Sequence, residues 1–450
     1  DGKLIESVGT AEQPMKYEYG VETDGAIYTT FVKTIQVGEG GALTEWVKSY
    51  SDMAGRPYRT RFADATESRS FFDNVGRLAK RIDPDQVTTL YAEGNGPSEA
   101  PAGAPSGGWD GAWHLTAIDM DRDGAIDFDG TDRIERSIRR VLHSTVHNSD
   151  VVQTTHTMWT TDGIPNATLV TNMSELRTDG TKSWATGLGV SSSSETVLVY
   201  PSPPAPQVPV RNVVSINPDG TKSTSAFHLG RQVSSTTFFS DGSTHSSATY
   251  QYDPHGRSLS ITDTRGTSST ADDRVTTFTY DNLDRQLTVT TPVPATGLSA
   301  QTTTNVYDNL GRVTSTSTSP ENGAIQFRYY PTGQLEKTWG TRTYPVKYTY
   351  DPQGRVKTLT TWQDFNETTG EGNAGAAVTT WNYSSTRGWL TQKLYNGQST
   401  GPTYEYWPSG RLKKRTWTRN LYADYTYDHS GALVNINYDD STRWWRNTSS

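Results

Sequence analysis

The chain has 450 residues, 40 Gly, 22 Pro and no Cys, with 32% hydrophobic and 11% aromatic residues and a net charge of −8. The lack of Cys excludes a disulfide framework or thiolate metal site. The missing basic surplus gives no footprint for nucleic acid, and no apolar run is long enough for a membrane-spanning helix. Thirteen Trp, 24 Tyr and 11 Phe supply buriable surface and argue against disorder. Ser and Thr make up about a quarter of the chain, well above ordinary usage. Thr, Val, Tyr and Trp favour pleated, half-buried surfaces, so the composition predicts an all-β protein with a polar face on each strand.

In chain order, residues 1–93 read as a β segment with two copies of a short motif, Tyr50-Ser51-Asp52-Met53-Ala54-Gly55-Arg56 and Phe72-Asp73-Asn74-Val75-Gly76-Arg77-Leu78. The first residue is Asp rather than Met, which suggests a processed chain or a piece of a longer one. Residues 94–108 form a Gly/Pro-rich loop. Residues 109–200 form a second β segment carrying Trp109, Trp113, Trp159 and Trp184, with Asp162-Gly163 and Asp179-Gly180 as hairpin turns.

Within that segment, Asp119, Asp121 and Asp123 alternate and are followed by Gly124, with Asp127 and Asp129 further on. Alternating carboxylates closed by Gly match the first half of a calcium loop, because a hard cation needs several oxygens around a sharp turn. Gly130 stands where a bidentate Glu is expected, leaving Asp129 or Asp132 as the late ligand. The expectation is a structural Ca²⁺ site, against the plainer alternative of a polar turn. Ile134, Ile138, Val141, Leu142 and Val146 fit helical spacing, with Asp132 and Glu135 as a capping box. The all-β context favours a strand pair instead. His143 and His147 share a face, with His156 beyond, but the glutamate of a metalloprotease motif is missing between them, so solvent-facing histidines are expected.

Residues 201–210 form a Pro-rich connector, with Pro201 to Pro206 stiff and extended, and residues 211–450 are a repeat array. Asp219-Gly220 and Asp241-Gly242 start its turn rhythm. Tyr252-Asp253-Pro254-His255-Gly256-Arg257 recurs as Tyr280-Asp281-Asn282-Leu283-Asp284-Arg285, as Tyr307-Asp308-Asn309-Leu310-Gly311-Arg312 and as Tyr350-Asp351-Pro352-Gln353-Gly354-Arg355. Weaker copies start at Tyr329, Tyr406 and Tyr427, and a degenerate one lies between Tyr383 and Trp389. The physical content is strand, tight turn, strand. Asp caps the turn through its carboxylate, Gly supplies the left-handed residue, and a Thr-rich strand follows. Gly370-Glu371-Gly372-Asn373-Ala374-Gly375 spells a dinucleotide fingerprint, but Ala376 to Trp381 reads as a strand, so this is a loop insertion.

The pattern resembles the YD-repeat family, also called rearrangement-hotspot repeats, which includes bacterial toxin shells and the teneurin extracellular barrel. The likeness runs from Tyr252 to about Tyr438 and from Tyr50 to Leu78. It implies repeated antiparallel β-hairpins forming a continuous curved sheet, a partial shell or fibre. The implied function is a non-catalytic extracellular or cell-surface structural protein. A glycan- or receptor-binding adhesion module is the alternative, and a carbohydrate-active enzyme a more distant one. Strand edges left open at the chain's limits would be met by further copies of the protein or by flanking repeats. No cofactor other than Ca²⁺, no nucleic acid and no membrane insertion are expected.

Overall fold

Alternating Thr, Val and Tyr residues do form strands throughout. The structure is a computed structural model describing residues 2–105, 108–159, 167–177, 180–187, 189–200, 209–267, 269–321, 323–439 and 443–445. The turn at Asp162-Gly163, Asp179 of the next turn and the connector Pro201 to Pro206 lie outside the described residues. Within them are 36 strands and two single 3-10 turns. No helix among them is long and apolar enough to cross a membrane.

The chain divides into two compact units, one of residues 1–92, 116–133 and 325–450, the other of residues 93–115 and 134–324. In the second unit each strand pairs antiparallel with the next, from Arg133–Ser144 against Ser149–Trp159 onward to Thr302–Tyr307 against Val313–Ser319. In the first unit two such series occur. One runs from Met15–Asp24 to Thr88–Asn95, the other from Gly323–Tyr329 to Arg443–Trp445. This is the all-β hairpin array expected from the repeat.

The expected choice of strand over helix after Asp132 holds. Arg133–Ser144 is a strand in which Ile134, Arg136 and Ile138 are buried and Glu135 is exposed. Ile134, Ile138 and Leu142 share one face in a strand as well as in a helix, and pairing with Ser149–Trp159 makes this segment a strand, which leaves Val141 and Val146 exposed. The fingerprint-like stretch is also no helix start. Asp364–Asn366 and Glu371–Ala374 make a small separate hairpin, while the strands on either side, Val356–Thr361 and Ala377–Tyr383, pair directly.

The core is thin. In the second unit Trp109, Trp113, Leu115, Ile134, Ile138, Val151 and Trp159 are buried, with the rings of Trp109 and Trp113 edge to face at 5.2 Å. Along the repeats most strand residues are half-buried, and Thr pairs bridge neighbouring strands. Thr279–Thr288 and Thr349–Thr358 hydroxyls lie 2.6 Å apart and Thr290–Thr302 2.9 Å apart.

Most of the motif hairpins close the same way. In the copy starting at Tyr307, the Gly311 N–H donates to the Asp308 carbonyl at 3.1 Å and the Asp308 N–H to the Arg312 carbonyl at 2.9 Å. The ladder slips by one residue between Val306 and Tyr307. A type I turn followed by a left-handed residue and a bulge has this signature, and it matches the twist of the paired strands. Gly311 has φ +82°, and a Cβ there would meet nothing closer than the Arg285 side chain at 4.0 Å. Gly311→Ala therefore costs conformation rather than space, about 1–2 kcal/mol. Urea denaturation should show a lowered midpoint with an unchanged slope.

Candidate functional site

The repeat side chains form one recurring constellation. Its parts are a capped turn, an arginine clamp and a tyrosine latch onto the neighbouring hairpin. Asp281 Oδ1 accepts the N–H groups of Leu283 and Arg285, each at 2.9 Å, and Oδ2 accepts Arg285 Nε at 2.6 Å. The held guanidinium reaches onward. Arg285 Nη1 donates to the Asp308 carbonyl of the next copy at 3.0 Å, and the group lies 4.8 Å from the Tyr307 ring centroid. The Tyr307 hydroxyl donates back to the Gln286 carbonyl at 2.6 Å.

The copy before it repeats the arrangement. Arg257 is fixed by Asp253, donates to the Asp281 carbonyl at 3.3 Å and stacks 4.6 Å from Tyr280, whose hydroxyl donates to the Ser258 carbonyl at 2.9 Å. In the first unit Arg355, held by Asp351, lies 4.6 Å from Tyr383, whose hydroxyl donates to Val356. Tyr427 likewise donates to Leu412. Thus Tyr, Asp, Gly and Arg each have a separate mechanical task, and the spacing of the motif is the spacing of one hairpin.

In the first unit, two copies that depart from the motif meet the N-terminal strands. The turn after Tyr383 has Ser384 where Asp is usual, and its Arg387 crosses to Thr66 Oγ1 at 2.9 Å and to Asp64. Its guanidinium lies between the rings of Phe62 and Trp389 at 3.7 and 4.4 Å. The turn after Tyr406 has Trp407 in the Asp position, and its Arg411 pairs with Asp85 at 2.7 Å and Asp83 at 3.0 Å. Ser409 donates to Asp85 as well. Arg355 adds a pair with Glu45 at 2.9 Å and Lys357 one with Glu39 at 2.8 Å. The acceptors Asp64, Asp83 and Asp85 sit in two turns the sequence reading missed. Their left-handed positions hold Ala65 and Gln86, at φ +68° and +67°, so the glycine signal is missing.

The acidic loop belongs to the same unit. Asp119 and Asp132 are buried, while Asp121 and Asp123 are exposed. Carboxylate oxygens of Asp119, Asp121 and Asp132 gather within 4.8 Å of one another, as do those of Asp121, Asp123 and Asp127. Of the predicted ligands, Asp129 is exposed and in neither group, while Asp132, the other late candidate, lies in the first. Asp132 accepts the N–H of Met120 at 2.8 Å and of Asp127 at 3.2 Å, while Asp119 Oδ2 accepts Gly124 N–H at 3.1 Å. The charge of Asp123, followed by partial burial and the charges of Asp121, Asp119 and Asp129, raises the Asp127 carboxyl above the usual carboxylate range. Burial raises Asp132 despite its two backbone donors.

Both ends of this loop grip the last well-formed copy. Its Asp428 turn has Ala432 where Arg is usual, and Arg133 supplies the guanidinium. Arg133 Nη2 pairs with Asp428 at 2.9 Å and Nη1 donates to Ser430 at 2.7 Å. His429 Nδ1 lies 2.7 Å from the Met120 carbonyl.

The three histidines do not come together with acidic groups as a metal cluster among the described residues. His143 faces Asp150 across its hairpin at 2.9 Å, His156 lies 3.8 Å from Glu135, and His147 stacks on Trp184.

The fold and motif geometry define an antiparallel wall of interlocked hairpins. Residues 221–444 match the family model of the teneurin YD-shell, and that array belongs to the YD-shell family. The whole chain also resembles solved toxin structures. A crystal structure of TcdB2-TccC3-TEV shares 12% identity over 99% of this chain and 28% of its own, with a TM-score of 0.45. The Photorhabdus luminescens Tc holotoxin pore shares 11% over 96% of this chain and 26% of its own, with a TM-score of 0.41. This chain thus spans about a quarter of the length of those solved chains. No curated protein matches it.

Two expectations follow from the clamp. Tyr280→Phe removes one latch and leaves the Ser258 carbonyl without its donor, costing about 1 kcal/mol in chemical denaturation. The second concerns pH. The Arg312 N–H above all, and then its guanidinium, holds the Asp308 carboxyl below the usual range, and Arg56 and Arg77 do the same for Asp52 and Asp73. A lowered folded-state value means stability present above the unfolded carboxylate range and lost as pH falls through the folded one. Asp127 and Asp132 are raised and act in the opposite sense, but the turn carboxylates outnumber them. Thermal melts should hold steady near neutrality and drop below about pH 4.

Proposed function

We propose that the chain is a non-catalytic, extracellular structural protein, a wall unit of a YD-repeat shell or of a self-assembling surface fibre. The observation that carries this reading is the use made of the motif. The aspartates, arginines and tyrosines, which would be the natural instruments of acid–base chemistry or ligand binding, are committed to holding hairpin to hairpin. Function is argued from sites rather than folds, and here the repeated site is a fastening. Its partners are further copies of the protein or flanking repeats. A sheet built by adding hairpins presents unpaired N–H and C=O groups at its outermost strands, and these are satisfied by more strands of the same kind.

Sedimentation velocity across a concentration series, with electron microscopy of the heaviest fractions, tests the assembly. The expected result is concentration-dependent association into shells or filaments. A single monomeric species at every concentration, or turnover of a polysaccharide by the purified chain, contradicts it.

A further inference from the structure

We propose that the loop from Asp119 to Asp132 binds one calcium ion through Asp119, Asp121 and Asp132, flanked by Asp123 and Asp127, and that the ion fixes the loop's grip on the Asp428 turn. The loop lies within the first unit, as does the turn it contacts.

The cluster alone would be an ordinary acidic turn, and Asp119 supplies the distinguishing observation. Its residue is 2% exposed, and Oδ1 is buried with no hydrogen-bond partner. Oδ2 is satisfied by Gly124. A carboxylate oxygen removed from water without a donor is strongly unfavourable unless a cation meets it. The neighbouring ligand atoms of Asp121 and Asp132 lie within 4.8 Å, a separation that lets one ion touch all three at calcium–oxygen distances of about 2.4 Å. Both Asp132 oxygens already accept a backbone N–H, and each keeps a second lone pair. The donor set is all oxygen, which selects a hard cation over zinc or copper. Carboxylates spread along a loop suit calcium's variable coordination better than the strict octahedron of magnesium.

The mechanical consequence comes from the residues adjoining the buried ligands. Met120 follows Asp119 and presents its carbonyl to His429. Arg133 follows Asp132 and completes the turn that lacks its own arginine. An ion drawing Asp119 and Asp132 together therefore fixes both contacts at once. Without it, mutual repulsion among the carboxylates works against the same arrangement.

The test uses the full chain stripped with EDTA and titrated with CaCl₂ in a calorimeter, with hydrogen exchange followed in parallel. The expected result is saturable binding with Kd below about 1 mM. Slower exchange should follow at Gly124, at Asp127 and at the Asp428 turn. Asp121 is exposed, so Asp121→Asn should fold, as circular dichroism would check, while binding calcium at least about tenfold more weakly. The proposal is overturned by no saturable binding up to about 10 mM, which is beyond the range of weak calcium modules. Unchanged affinity in the folded Asp121→Asn chain, magnesium binding as tight as calcium, or binding with no slowing at the Asp428 turn would overturn it as well.

Discussion

Everything else in the array depends on a tyrosine hydroxyl finding the carbonyl beside the preceding arginine. A lone hairpin is marginal in water, because two short strands bury too little apolar surface to offset the entropy of ordering them. This chain is only 32% hydrophobic, so larger greasy cores are not its remedy. The latch between Tyr307 and Gln286, with Arg285 lying against the same ring, makes each hairpin's order a condition for its neighbour's. Stability in such an array is a sum of nearest-neighbour terms, each modest and repeated many times. The capped turn matters because it aims the arginine. Asp281 fixes the Arg285 guanidinium before that group reaches the next copy.

The same logic explains where the motif degenerates. Arg387 and Arg411 lack their own turn aspartates, and both are spent on the N-terminal strands of the first unit, at Asp64, Asp83 and Asp85. The Asp428 turn lacks its own arginine, and Arg133 enters from the acidic loop. Departures from consensus here mark places where an ion pair within one repeat has been exchanged for one between distant parts of the chain. Bidentate and stacked arginine is suited to this exchange, since its planar fork keeps its geometry whichever carboxylate it meets.

Much of this was legible in the sequence. The Tyr–Asp–x–x–Gly–Arg spacing announced hairpins, and the turn at Gly311 is built as those residue types require. The acidic loop was visible too, although Asp132 rather than Asp129 joins its neighbours, because the chain bends back at Gly130 and the backbone of Met120 and Asp127 draws Asp132 inward. Two kinds of feature were hidden. The turns at Ala65 and Gln86 adopt a left-handed residue without glycine, so the glycine signal was missing, although Asp83-Pro84 opens its turn as Asp253-Pro254 does. The pairs joining Arg355 to Glu45 and Arg411 to Asp85 span some 300 positions, and no periodicity within one repeat can reveal such partners. The strand Arg133–Ser144 lies between these cases, since its apolar spacing admits helix or strand until its pairing partner is known.

The coupling between neighbouring hairpins is measured most directly by a double-mutant cycle on Arg285 and Tyr307. Arg285→Met, Tyr307→Leu and the double variant would be unfolded in urea alongside the parent chain. Interlocked repeats predict an interaction energy of at least about 0.5 kcal/mol favouring the native pair. Strictly additive losses would show that the hairpins stand side by side without fastening one another, and would contradict the account.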